Sequence, residues 1–280
     1  MTLINGINKV ITFIGGGNMA RSLIKGLLSN NYNSNKILVS DPNATKLQQL
    51  QHDFGINIQL DNKTAAAKAE ILIFAVKPQI LQNVAVDLAQ IIQNRKSLII
   101  SITAGIRLQV LQSWLGGYKT IIRSMPNTPT AVAEGMTALY ADKTITYHHK
   151  KLATAIFNSV GRFLWVENEN FMDVITALSG SGPAMIFLVI EALQKAGEKL
   201  GLTAESAQQL TLQTVLGAAK LASLSKQDPS QLRKQVTSPN GTTERAIEAL
   251  ESGNLENLFS AAVLAAKQRA EEIANTYTRK

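Results

Sequence analysis

Short apolar runs alternate with stretches of helical period over about the first 165 residues, and beyond that only helical period remains. The runs fall at 10–14, 37–40, 71–76, 98–102, 120–124 and 137–140, with 163–166 as a candidate last strand. Each predicts a short buried strand, and strand–helix alternation of this kind argues for a mainly parallel sheet covered by helices on both faces. Past Asn170 no strand is predicted. Long helices follow instead, punctuated by Gly201, Pro229, Pro239 and Gly253. Asp228 before Pro229 pairs a capping residue with a first-position proline, and Gly253-Asn254 reads as a stop followed by a restart. A hinge is expected near Asn168–Met172.

Those C-terminal helices are rich in small residues, with Ala218-Ala219, Ala261-Ala262 and Ala265-Ala266 set among Leu and Val. An all-helical piece that is apolar on more than one face needs a partner to bury itself, and an isologous dimer is the commonest solution. The chain has 280 residues, enough for two domains, and 45% of them are hydrophobic against 17% charged, the balance of a soluble globular protein. Cysteine is absent, which excludes disulfides, thiolate zinc sites and a thiol nucleophile. The polar lead at residues 1–8 carries no signal pattern. The longest apolar run, at 184–190, is interrupted by Glu191 and is too short to span a bilayer. A cytosolic protein is expected.

Charge is unevenly spread: residues 1–165 hold 17 Lys and Arg against 7 Asp and Glu, whereas 166–280 hold 11 against 13. A basic first half suits a polyanionic ligand by long-range attraction. Nucleic acid is disfavoured, because the cations are scattered singly and aromatics are only 5% of the chain. The first strand runs straight into Gly15-Gly16-Gly17-Asn18-Met19-Ala20, followed by a helix whose apolar positions are Leu23, Ile24, Leu27 and Leu28. This is G-x-G-x-x-A in strand–turn–helix context: Gly15 permits the turn, Gly17 admits a pyrophosphate, and Ala20 keeps helix and strand close. The next strand ends at Ser40 and Asp41, about where a ribose-binding acid belongs. Further strand-end candidates for the cofactor are Asn62, the run Ala75-Val76-Lys77-Pro78, the run Thr103-Ala104-Gly105, and Asn127. The fold expected is therefore α/β: a Rossmann-type doubly wound, mainly parallel sheet over 1–166, then an all-α domain for substrate and dimerisation over 167–280.

A second site is expected in the helical part. Ser238, Asn240, Gly241, Thr242 and Thr243 sit just before the helical E-R-A-I-E-A-L. The first N–H groups of such a helix lack intrahelical partners and bind a carboxylate or phosphate.

Taken together, I-G-G-G-N-M-A, A-V-K-P-Q, S-I-T-A-G-I, R-S-M-P-N-T-P, A-L-S-G-S-G-P-A, Q-T-V-L-G-A-A and V-T-S-P-N-G-T-T-E-R-A-I resemble the pyrroline-5-carboxylate reductase family over essentially the whole chain. The resemblance implies NAD(P)H-dependent reduction of 1-pyrroline-5-carboxylate to L-proline. It also implies a helical domain that interlocks into dimers, which in this family assemble further, often into decamers. Asn240 replaces the usual first Gly of S-P-G-G-T, and Met185 replaces a usual Tyr. Asp41 with Pro42 departs from the small or basic residues that often hold a 2′-phosphate. Lys46 is the nearby cation, so NADH and NADPH both stay open as cofactor. Substrate carboxylate would sit on the amides of Thr242 and Thr243 with Ser238 assisting, and the Thr243 hydroxyl would face the ring nitrogen. Ser238 and Thr243 are thus the catalytic candidates.

Two other readings compete. A β-hydroxyacid dehydrogenase expects a Lys four residues after the last Gly of the interdomain motif and an Asn four further on; counting from Gly182 gives Ile186 and Ile190. A non-catalytic nucleotide-binding protein would not need the S-P-N-G-T-T loop. No metal site is expected: His148-His149 lies in a polar Thr/Tyr/Lys context without nearby acids, and His52 reads as structural.

Overall fold

The computed structural model describes residues 7–278; most of the polar lead at 1–8 lies outside them. Four strands are buried at every position: β1 (Ile11–Ile14), β2 (Ile37–Ser40), β4 (Ile71–Phe74) and β5 (Leu98–Ser101). Alternate residues feed two separate cores. Ile71 and Ile73 belong to one, Leu72 and Phe74 to the other, as the two-residue period of a strand requires. Helix α1 (Asn18–Ser29) covers the first face with Ala20, Leu23, Ile24 and Leu27. The other face is covered by α3 (Asn62–Ala66), α4 (Pro78–Arg95) and α5 (Leu108–Trp114). In α4 the buried stripe is Leu81, Ala85, Leu88 and Ile92, a helical period facing the sheet.

With α2 (Ala44–Phe54), β3 (Asn57–Gln59), β6 (Ile121–Met125), β7 (Gly135–Tyr140), α6 (Tyr147–Asn158) and β8 (Gly161–Trp165), the sheet has eight strands in the order β3-β2-β1-β4-β5-β6-β7-β8. Pairing is parallel from β3 to β6, antiparallel between β6 and β7, and parallel again between β7 and β8. The first six strands are doubly wound, and the order reverses between β1 and β4. All seven expected strands are present. The one not foreseen is β3, a three-residue edge strand that is only half-buried and has no apolar run to announce it.

Past β8 every element is helical: α7 (Phe171–Ile175), a wider turn at Thr176–Gly180, α8 (Gly182–Lys199), α9 (Ala204–Leu224), α10 (Pro229–Gln235), α11 (Thr242–Ser252) and α12 (Leu255–Thr278). Asp228 and Pro229 start α10 as expected, and Asp228 with Gln231 completes a reciprocal capping box. The chain forms two compact units, Met1–Ser181 with Ala266–Lys280, and Gly182–Ala265. The end of α12 therefore belongs to the sheet unit, where Ala270 and Ala274 are buried.

The expectation about bilayer length is corrected. The helical run Phe171–Lys199, whose most apolar 18-residue window has a mean hydropathy of 1.6, is long and apolar enough by length and composition to cross a bilayer. The apolar run taken alone underestimated it, because helix continues on both sides of 184–190. Only 11% of its most apolar window is buried within the chain.

Candidate active site

The glycine turn follows β1 at the point where the strand order reverses. Gly15 has φ +103°, and its N–H donates to the Ser40 carbonyl at 2.7 Å. A Cβ at Gly15 would lie 2.7 Å from the Ala75 carbonyl oxygen, so a side chain is excluded by conformation and by space. Gly17 differs. Its φ is −74°, and a Cβ there would meet nothing within 4 Å. It precedes α1, whose N-terminus has no side-chain cap. The N–H groups of Asn18, Met19 and Ala20 consequently have no intrahelical acceptor, and the helix dipole adds positive potential. Bare backbone over an uncapped helix end fits the pyrophosphate of a dinucleotide.

The remaining strand-end residues surround this turn. Ser40 is buried and donates its hydroxyl to Asn62 Oδ1 at 2.7 Å, which joins the end of β2 to the start of α3. Ala75 N–H donates to the Ile14 carbonyl at 2.8 Å. Lys77 caps α4 through its backbone, with Pro78 at the first position and no side-chain cap. Thr103 Oγ1 donates to the Val76 carbonyl at 3.2 Å, tying the loop after β5 to the loop after β4. Gly105 has φ +74°, and a Cβ there would press on Ile273 at 2.6 Å; Ala104 lies between these two anchored residues. The structure thus gathers these residues at the carboxyl ends of the parallel strands.

Asp41 is only 6% exposed and turns toward the glycine turn. Its Oδ2 accepts from Gly16 N–H and from Lys46 Nζ, each at 2.9 Å, and its Oδ1 accepts from Asn43 N–H at 2.9 Å. Burial pushes its carboxyl up. The bonds from Lys46, Gly16 and Asn43 more than offset that and hold it below the usual carboxylate range. Asn127 bridges two further segments. Its Oδ1 accepts from Met136 N–H at 2.8 Å, and its Nδ2 donates to the Ser179 carbonyl at 3.2 Å.

Sequence reasoning missed a buried charge cluster that holds the same region. Arg123, 3% exposed in the middle of β6, donates Nη1 to Glu169 Oε1 at 2.7 Å, and its Nη2 lies 3.8 Å from Asp173 Oδ1. Arg107 Nη2 donates to Asp173 Oδ2 at 3.1 Å, and Leu108 N–H donates to Glu169 Oε1 at 2.7 Å. The signal was available: an Arg inside the apolar strand Ile121–Met125 cannot be buried without a partner.

Described by itself, the second unit holds the other expected site. Asn240 has φ +60°, so it adopts the left-handed conformation for which Gly is usual and Asn is tolerated. Gly241 N–H donates to the Ser238 carbonyl at 3.0 Å, closing the turn. Gly241 then precedes α11 with no side-chain cap. The first amides of α11, those of Thr242 and Thr243, have no intrahelical acceptor; Thr243 is half-buried and Thr242 exposed. Glu244 is engaged by Asn240 N–H, which donates to its Oε2 at 2.8 Å. Among the described residues no group of three or more His, Cys, Asp or Glu could hold a metal ion.

A reversed-order parallel sheet with an open glycine turn at its switch point defines a dinucleotide-binding protein. Similarity to known proteins carries this further. Residues 10–105 match a family of NADP oxidoreductases described as coenzyme F420-dependent, and residues 169–273 match the pyrroline-5-carboxylate reductase dimerisation family. A Pseudomonas aeruginosa pyrroline-5-carboxylate reductase is 43% identical over 264 residues, covering 94% of this chain and 96% of that protein. The solved Coxiella burnetii pyrroline-5-carboxylate reductase superposes with a TM-score of 0.92 at 46% identity, covering 96% of this chain and 99% of its own. The Plasmodium falciparum enzyme, solved with NADP bound, gives a TM-score of 0.85 at 31% identity, covering 95% and 98%. This chain belongs to the pyrroline-5-carboxylate reductase family.

Proposed function

We propose that this protein reduces 1-pyrroline-5-carboxylate to L-proline with NADPH or NADH, the last step of proline biosynthesis. The observation that carries the reading is membership of the family over 94% of this chain, with the dinucleotide turn and the Ser238–Thr243 turn present in one chain. Residues 1–166 serve as the dinucleotide-binding domain and 167–280 as the substrate and dimerisation domain. The protein works in the cytoplasm as a homodimer, with a decamer as the higher assembly, and takes no metal, nucleic acid or membrane as partner. In this reading the apolar side of α8, interrupted by Glu191, Lys195 and Glu198, is covered by a second copy of the chain.

A bound nicotinamide supplies the hydride. The backbone at Gly16 and Gly17 and the amides of Asn18 and Met19 hold its pyrophosphate, with the strand-end loops at Ala75–Pro78 and Thr103–Gly105 beside it. The amides of Thr242 and Thr243, with the Ser238 hydroxyl, hold the substrate carboxylate. The Thr243 hydroxyl hydrogen-bonds the ring nitrogen and presents one face of the imine. The substrate brings its own proton as a protonated imine, so orientation provides most of the catalysis. Ile186 and Ile190 stand where alcohol oxidation would need Lys and Asn.

The test is NAD(P)H consumption on addition of pyrroline-5-carboxylate, in wild type and in Thr243→Val. That change keeps shape and amide but deletes the hydroxyl. Losing such a hydrogen bond costs about 0.5–1.5 kcal/mol, so kcat/KM should fall roughly two- to tenfold with dinucleotide Kd unchanged. Thr243→Pro also removes the amide and should be far worse. No turnover in wild type would overturn the assignment, and full activity in both variants would overturn the anion site.

A further inference from the structure

The side chain at Asp41 and the cavity next to it bear on which dinucleotide the site accepts. An acid that selects an unphosphorylated ribose must turn its free oxygens toward the sugar hydroxyls. Asp41 does not. An ionised carboxylate offers about four acceptor positions, and three bonds, from Gly16 N–H, Asn43 N–H and Lys46 Nζ, already draw on both oxygens of this one. With 6% exposure, it is built into the glycine turn.

Beside that turn lies a cavity of about 440 Å³, lined by Gly17, Arg21, Asn43, Thr45, Lys46 and Gln49 among others. Two of these are cations, the rest are neutral, and no carboxylate lines it. Arg21 is steadied by an ion pair to Asp53 and by stacking on the Phe54 ring at 4.9 Å. Lys46 is the movable charge. Its side chain is 43% exposed, and if it swings away from Asp41, the two backbone N–H groups still satisfy the carboxylate. The ammonium, with three donors, can therefore meet an incoming anion while Asp41 keeps its two backbone N–H bonds.

We infer that Asp41 clasps the glycine turn rather than reading the ribose, and that Lys46, with the donors of Asn43, Thr45 and Arg21, forms a receptor for the 2′-phosphate of the dinucleotide, making this chain selective for NADPH over NADH. This rests on the dinucleotide-dependent reading above.

The experiment is calorimetric binding of NADP⁺ and NAD⁺ to the assembled enzyme, with 2′,5′-ADP, 5′-ADP and inorganic phosphate as probes. NADP⁺ should bind at least about tenfold more tightly than NAD⁺, the scale of a charge-assisted hydrogen bond. The same gap should separate 2′,5′-ADP from 5′-ADP, and phosphate alone should not displace NAD⁺. Lys46→Ala should erase most of that gap by weakening NADP⁺ alone. Asp41→Asn should weaken both dinucleotides by the same factor. Equal affinities in wild type, a Lys46→Ala loss shared by both dinucleotides, or a loss confined to NAD⁺ in Asp41→Asn would each overturn the inference while leaving the reductase reading intact. Failure to bind either dinucleotide would overturn both.

Discussion

Gly15 and Gly17 look alike in the sequence and do opposite things. Gly15 is required by the fold: its φ of +103° and the Ala75 carbonyl 2.7 Å from a notional Cβ leave no room for a side chain. Gly17 has an ordinary φ and open space around it, so the fold does not need it bare. Gly15→Ala should lower Tm, whereas Gly17→Val should leave Tm alone and raise the dinucleotide KM at least about tenfold, since a clash with pyrophosphate forfeits several hydrogen bonds. Thermal unfolding and steady-state kinetics on both variants separate the two roles; unchanged kinetics in Gly17→Val would remove the dinucleotide from this turn. The G-x-G-x-x-A spacing made the turn legible, and the structure adds which glycine the chain itself requires and which it does not. Asp41 was legible as a position but its bonds to Gly16, Asn43 and Lys46 were not, because nothing in a linear spacing says which way a carboxylate points. Its pKa gives a check with a definite sign. The folded value lies below the unfolded one of about 3.9, so its stabilisation is complete above that pH and is lost as pH falls through the lower folded value. Urea unfolding between about pH 5 and pH 2 should therefore show a shallower acid decline in Asp41→Asn than in wild type.

At the level of elements, β1, β2, β4, β5 and β6 were readable because parallel strands buried on both faces are continuous apolar runs, and β7 and β8 were readable as short runs. β3 was not, because an edge strand of three half-exposed residues needs no such run. Nor was the cluster of Arg107, Arg123, Glu169 and Asp173, since its members are 66 residues apart at the extreme and only folding assembles them. It joins the loop before α5 and the middle of β6 to the start of α7, and so fixes the entry to the Thr176–Gly180 turn that Asn127 also holds through Ser179. Asp173 is 2% exposed between two guanidinium groups. Removing one partner from a buried pair leaves an uncompensated charge and costs about 3–5 kcal/mol. Asp173→Asn should thus lower the urea midpoint markedly, and Arg123→Met should do at least as much harm. A midpoint within error of wild type in both would show that the cluster only decorates the joint.

Across the whole molecule, the second unit leaves its apolar side chains uncovered. Phe187 is 64% exposed and Leu188 65% in α8, Leu216 is 60% exposed in α9, and Leu258 is 63% exposed in α12. Scattered single hydrophobics on a surface mean little, but these recur along three helices of one unit, within the segment that matches the dimerisation family. The helical period and the Ala pairs made this need for a partner legible before any coordinate. What the sequence pattern left unread was its extent, because Glu191, Lys195 and Glu198 break the apolar run without breaking the helix. Burying a large apolar side chain contributes about 1.5–3 kcal/mol, so a charge at two such positions should dismantle the assembly. Phe187→Asp combined with Leu216→Asp should move the protein from a multiple of the chain mass toward the single-chain 30.3 kDa in light scattering. Wild-type Tm should rise with protein concentration, as linkage to association demands, and the double variant should lose that dependence. A double variant that keeps the wild-type mass would show that these residues face something other than a second copy of the chain.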